Sequence, residues 1–271
     1  MSGTETALAT LRAAVPNVRD AGGRSTASGG RMRRGVVYRS AQLLDLSADA
    51  QDALLALGVR TVHDLRTADE IAHRRDTLPE GITLVVDDVL ADRPHSGAAG
   101  VASIVNQHAD RASVSELNAA VGGGRAADVM RETYRHLVTL PSAHRGYRRL
   151  LSGIANGDDA TVIHCTAGKD RSGWAVALLQ LVCGVSRDDV MADYLLSNDA
   201  MAAAYGPMLE AFAREGGDSD ALAHMIYVEP GYLETALAVV DEEFGGLDGY
   251  LATGLGTSGA DVDRLRTRLL R

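Results

Sequence analysis

The spacing of apolar residues changes several times along the chain, and each change marks an element. From Thr4 to Ala14 they recur at helical spacing. Asn17 to Gly35 is rich in Gly and Arg and reads as loop or irregular strand. Val36-Val37-Tyr38 reads as a short strand. Ser47 then stands as the N-cap of a helix through Leu57, with Gly58 as its stop. Val59 to Leu65 alternates as a strand does, and Thr67-Ala68-Asp69-Glu70 is a capping box heading a helix that ends near Arg75. The β-branched run Ile82 to Val86 reads as a buried strand.

Residues 93–125 lose this periodicity. They are rich in Ala, Gly and Ser, end in Gly122-Gly123-Gly124, and are too many for an ordinary connection. They predict an insertion that closes over a site as a lid, with a disordered surface insert as the alternative. Helical spacing returns at Asp128–Leu140 and Ala143–Ala155. A strand follows at Ala160–Ile163, then a strongly apolar helix from Ser172 to Cys183. The remainder reads as helices at Arg187–Leu195, Asp199–Glu215, Pro230–Phe244 and Asp261–Leu270, with Pro230 suited to a first helical position. Strands alternating with helices, then helices alone, predict an α/β fold: a sheet flanked by helices, with a largely helical C-terminal half.

Composition narrows the class. A chain of 271 residues fits one large domain carrying an insertion. A net charge of −9 argues against a nucleic-acid binder. Two cysteines, Cys165 and Cys183, make neither a disulfide framework nor a four-cysteine zinc site, and the histidines show no ligand spacing, so neither metal nor cofactor is expected. No apolar run is long enough to span a bilayer, and the first residues lack the basic and apolar regions of a signal peptide. The expectation is a soluble, cytoplasmic protein, with leaderless secretion left open. Of the 27 basic side chains only Lys169 is a lysine, and it falls inside the stretch HCTAGKDRSG.

That stretch carries the chemistry. Cys165 and Arg171 are separated by five residues between a predicted strand and a predicted helix. Such a turn aims backbone N–H groups at one point, and the helix dipole adds positive charge there. An anion in the cradle would be clamped by the Arg171 fork. The same field favours the thiolate of Cys165, poised for in-line attack on a bound phosphate. A Cys and an Arg at this spacing arise by chance in about one such chain in five; with the flanking His164, Gly168 and Ser172 the figure falls below about one in ten thousand.

HCTAGKDRSG resembles the signature loop of the cysteine-dependent protein tyrosine phosphatases, and its Lys-Asp pair resembles a bacterial branch of them. Asn17-Val18-Arg19-Asp20, Tyr38-Arg39-Ser40, Asp64-Leu65-Arg66, Ala192-Asp193-Tyr194-Leu195, Ser197-Asn198-Asp199 and Gly246–Leu251 are similar to landmarks of that branch. The likeness covers roughly residues 15–90 and 130–271. It departs at the insertion and at Val18, where the branch has an aromatic.

The resemblance implies a phosphatase-like sheet, Cys165 as nucleophile through a phosphocysteine, and Arg171 as phosphate ligand and transition-state stabiliser. It implies that Thr166, Ala167 and Gly168 lie in the phosphate loop, that His164 helps set the thiolate, and that Ser172 eases its departure. Lys169 would contact an anionic part of the substrate, a second phosphate of a phosphoinositide being one candidate. Asp170 either salt-bridges a neighbouring arginine or transfers a proton. For the general acid, Asp92 aligns best, one position off the branch's spacing, with Asp87, Asp88 and Asp170 as alternatives. Substrates implied are phosphotyrosine, phosphoserine or phosphothreonine proteins and phosphoinositides. An arsenate reductase, or a phosphate-binding module without catalysis, are the competing readings.

Overall fold

A computed structural model describes residues 3–93 and 114–271. Five strands form one sheet: β1 (Arg19–Asp20), β2 (Val37–Ser40), β3 (Val59–Asp64), β4 (Thr83–Val86) and β5 (Ala160–His164), in the order β1-β2-β5-β3-β4. β1 runs antiparallel to β2, and every other pair is parallel. β5 comes last in the chain yet lies at the centre, with all five residues buried. A strand covered on both faces has no use for polar alternation, which is why Ala-Thr-Val-Ile reads as a continuous apolar run. His164 is level with both Ser40 and Asp64, and Asp64 with Val86. The loops leaving β2, β3, β4 and β5 therefore open along one edge, where open parallel sheets bind ligands.

Helices α1 (Gly3–Ala14) and α2 (Ala48–Ala56) cover one face, packing Leu11 and Leu54 with Tyr38, Val62 and Val162. After β3 comes α3 (Ala68–His73), headed by the Thr67–Glu70 capping box. The longer helices that follow are α4 (Val114–Val121), α5 (Arg125–Thr139), α6 (Pro141–Asn156), α7 (Arg171–Val182), α8 (Arg187–Leu195), α9 (Ser197–Arg214), α10 (Ser219–Ile226), α11 (Pro230–Phe244) and α12 (Gly259–Leu269), with a short helical turn at Leu247–Gly249 and a π-helical turn at Tyr250–Gly254 before α12. Around the buried α7 they enclose the larger core, with Trp174, Tyr147, Leu150 and Leu178 at its centre. No helix among the described residues is long and apolar enough to cross a membrane.

Three expectations change. The run ending at Val86 is an edge strand rather than a buried one: among the described residues β3 is its only partner, and Leu84 and Val86 are 41% and 42% exposed. A short apolar run does not by itself distinguish a central strand from a rim. Helices α4 and α10 stand where no element was expected; at eight residues each shows too few turns for its period to register. α5 begins at Arg125, ahead of Asp128. Of the predicted insertion, 94–113 lies outside the described residues, while α4 buries Leu117 and Val121 in the core.

Candidate active site

Between β5 and α7, residues Cys165 to Asp170 form a tight loop shaped from outside. Asn17 Nδ2 donates to the carbonyls of Ala167 (3.2 Å) and Gly168 (2.9 Å). Arg39, wholly buried, donates through Nη2 to Gly168 (2.6 Å) and Lys169 (3.2 Å), and the Gln42 amide donates to Thr166 (3.2 Å). The loop's carbonyls are thus engaged by residues outside it. Among the described residues, the amides of Thr166 to Asp170 donate to no protein acceptor. Gly168 permits this turn: its φ is +66°, and a Cβ there would lie 2.1 Å from the Ser40 carbonyl oxygen.

Below the loop, a buried ionic network fixes its entry. Arg66 Nε donates to both Asp64 oxygens (2.9 and 3.1 Å), and its Nη2 reaches Asp64 and Asp76, each at 2.7 Å. His164 lies on the same pair, with Nε2 3.1 Å from Asp76. Burial pushes the Asp76 carboxyl up, but His164, Arg66 and the Leu43 amide outweigh it, so the net shift is downward. Asp64, Asp76 and His164 are the one group among the described residues with metal-ligand spacing, and Arg66 already supplies the cation there.

Arg171, first residue of α7, faces Glu70 of α3. Its Nη1 lies 2.5 Å from Oε2 and its Nη2 2.8 Å from Oε1, while the Thr166 hydroxyl donates to Oε1 at 2.5 Å. The capping box aims the carboxylate, since Oε2 also accepts from the Thr67 amide at 2.9 Å. Burial opposes both charges, but each stabilises the other: Glu70 is held well below the usual carboxylate range, and Arg171 well above its ordinary value. In sequence Glu70 shows only as a helix cap, a role that fully accounts for it. The positions of Asn17 and Arg39 beneath the loop likewise had no local signal beyond their landmark resemblance.

The candidate acids separate clearly. Asp92 has its contacts on α6: its amide donates to the Ser142 hydroxyl (3.2 Å), and its carboxylate pairs with Arg145 (3.2 Å). Asp87 is buried against His63 (2.7 Å) and Arg149 (3.2 Å). Asp88 accepts from the amides of Ala68 (3.1 Å) and Leu90 (3.0 Å) and lies within electrostatic reach of Arg171 and Glu70. Burial raises its carboxyl above the ordinary value, more than the two amides and Arg171 lower it. Asp170 accepts from Tyr134 (3.0 Å), whose hydroxyl lies 2.7 Å from that of Tyr194, and its other oxygen is 3.6 Å from Lys169. The Lys169 ammonium is 5% exposed as a residue and donates to the Met225 carbonyl at the end of α10 (2.5 Å).

Cys165 is buried at the base of the cradle, in the field of Arg39 and Arg171 and near Tyr147 and Tyr205. Ser172, one residue past the arginine, keeps a buried hydroxyl without a protein partner among the described residues. Cys183 closes the far end of α7, about 18 Å away along a helix of twelve residues. Burial pushes its thiol up to about 12.

A strand–loop–helix turn with amides free of protein acceptors among the described residues, a buried cysteine and an arginine oriented by Glu70 marks a class of enzyme, the protein-tyrosine phosphatases. The comparison with known families agrees: the model of the tyrosine phosphatase family matches residues 12–271, and the chain belongs to that family. It is 30% identical to the triple specificity protein phosphatase PtpB of Mycobacterium tuberculosis, over 94% of this chain and 96% of that one. It is 32% identical to a putative tyrosine-protein phosphatase of Cupriavidus necator, over 94% of this chain and 86% of the relative. A tyrosine-protein phosphatase of Nostoc commune is 27% identical over 85% of this chain and 73% of its own length.

Proposed function

We propose that the protein hydrolyses phosphotyrosine through a phosphocysteine, without a metal. The observation that carries this reading is the run of loop amides that, among the described residues, have no protein acceptor, beside the buried Cys165 and with Arg171 oriented by Glu70. The three non-bridging phosphate oxygens would take these donors, and the Cys165 sulfur would stand in line with the leaving group. Sγ attacks phosphorus, the ester P–O bond breaks, and the leaving phenolate takes a proton. Water then attacks phosphorus, the S–P bond breaks, and thiolate and inorganic phosphate are released. The Ser172 hydroxyl donates to the departing thiolate.

Asp88 is our choice of acid. It combines a raised carboxyl with a place near Arg171 and Glu70, which favours it over Asp92 on the α6 side. Both Asp170 oxygens are engaged, which suits a supporting role: it and Lys169 tie the loop to α5 and α10, and Lys169 adds its charge to the cradle field. The name of the mycobacterial relative, a triple specificity protein phosphatase, supports a range wider than phosphotyrosine, which we extend to phosphoserine, phosphothreonine and phosphoinositides. The deciding experiment is hydrolysis of para-nitrophenyl phosphate in excess chelator. Activity should vanish in Cys165→Ser, and acid quenching should trap a phosphoryl group on the Cys165 peptide. Turnover surviving in Cys165→Ser would overturn the reading. An arsenate reductase would need a relay cysteine, and Cys183 is buried at the far end of α7.

A further inference from the structure

Of the cations near the loop, those already described are committed, Arg39 to the loop carbonyls beneath it. Arg171 is held by Glu70, and Lys169 by the Met225 carbonyl and Asp170. Arg93 is different. It ends the described part of the loop leaving β4, where its amide closes a turn onto the Leu90 carbonyl (2.9 Å). Its neighbour Asp92 pairs with Arg145 on α6, whereas Arg93 donates through Nη2 to the Thr133 hydroxyl on α5 (3.0 Å). Among the described residues it has no carboxylate within ion-pairing distance.

The surroundings make this charge conspicuous. Burial lowers the pKa of Arg93, the charge of Glu132 raises it, and the nearby Arg171 lowers it further, so the two guanidinium groups are close enough to repel. His136, one turn beyond Thr133, is made less basic by burial and by Arg93, and its buried Nδ1 has no partner among the described residues. Glu132 is only loosely associated, 3.9 Å from His136 and half exposed. A partly buried guanidinium with no carboxylate partner among the described residues, beside a hydroxyl, is suited to an incoming carboxylate.

We propose that Arg93 is a specificity-determining residue that binds an acidic side chain next to the phosphotyrosine of a peptide substrate. This rests on the phosphotyrosine-hydrolysis reading. A phosphotyrosine ring extends from the cradle outward, so flanking residues stop outside it, and Arg93, partly exposed and within electrostatic reach of Arg171, is placed to meet them. One carboxylate balances one uncompensated guanidinium, which favours an acidic peptide over a second, doubly charged phosphate.

The test compares kcat/KM for a phosphotyrosine peptide flanked by glutamates, the same peptide flanked by alanines, soluble inositol bisphosphate and para-nitrophenyl phosphate. The native protein should prefer the glutamate peptide by about tenfold, a charge-assisted pair at a partly screened site. The preference should reside mainly in KM and shrink in high salt. Arg93→Ala should bring the ratio of the two peptides close to one, losing less on para-nitrophenyl phosphate than on the acidic peptide. Arg93→Glu should invert the ratio. A native protein indifferent to flanking charge overturns the proposal, as does a preference that persists in Arg93→Ala. A loss confined to inositol bisphosphate would also overturn it. Failure of the underlying reading looks different: no substrate would turn over in a Cys165-dependent way.

Discussion

Glu70 and Arg171 meet fork to fork, with two nitrogen–oxygen contacts of 2.5 and 2.8 Å joining α3 to the first residue of α7. The same carboxylate caps its own helix and accepts from Thr166. One side chain thus locks the guanidinium plane, the loop and the helix that follows β3. Arg171 retains Nε for a phosphate, and its Nη2 also points toward Thr166 within the loop (3.3 Å).

Glu70→Gln keeps the size of this group and removes its charge. Turnover should fall by about 10²-fold, the scale expected when a transition-state ligand is misplaced by an ångström. Stability should show the second signature. The Glu70 carboxyl is held below its ordinary 4.5, so its stabilisation is present above that pH and is lost as pH falls through it toward the folded value. Acid denaturation curves should therefore be shallower for Glu70→Gln than for the native protein.

Asp88→Asn should lower kcat on a phenyl phosphate by about 10²–10⁴-fold and abolish the basic limb of its pH profile. A substrate with a very good leaving group should be affected far less. Asp92→Asn, on the Arg145 side, should keep that limb. Loss of the limb in Asp92→Asn and its retention in Asp88→Asn would transfer the role to Asp92.

Alkylation should discriminate the two cysteines. With its thiol pushed up to about 12, Cys183 stays protonated and buried near neutral pH. Iodoacetamide at pH 7 should label Cys165 alone, with proportional loss of activity, and vanadate should protect. Peptide mapping after partial inactivation reads the result directly.

Gly168→Ala adds a single methyl group at φ +66°, directed at the Ser40 carbonyl oxygen. Backbone is the obstacle, so the strain cannot be relieved by a rotamer change. The variant should lose at least about 1–3 kcal/mol in urea unfolding and most of its activity. Retained activity would mean that the loop tolerates another path.

Lys169→Met should test the loop's tie to α10. It removes the donor to Met225 and the partner of Asp170, at a cost of about 1–3 kcal/mol for buried polar groups left unpaired. KM should rise by a similar factor for aryl phosphate and for inositol bisphosphate. A selective loss on inositol bisphosphate would instead place the ammonium against the substrate's second phosphate.

Much of this protein is written locally, and those features were legible in sequence. Ser47 and Thr67 cap their helices because a hydroxyl three residues ahead of an unpaired amide is a local geometry. Pro230 opens α11, and the apolar run before His164 becomes a central strand. The Cys165–Arg171 spacing identified the cradle because strand, loop and helix are consecutive, and an anion site there needs no distant residue to be recognised. Tertiary structure decided what depends on residues far apart in the chain. Only folding places Glu70 a hundred and one residues from its partner Arg171, Tyr134 against Asp170, and Lys169 under Met225. It also set apart four aspartates that look alike in sequence. A carboxylate's chemistry follows from its burial and neighbouring charges, and those are properties of the packed molecule.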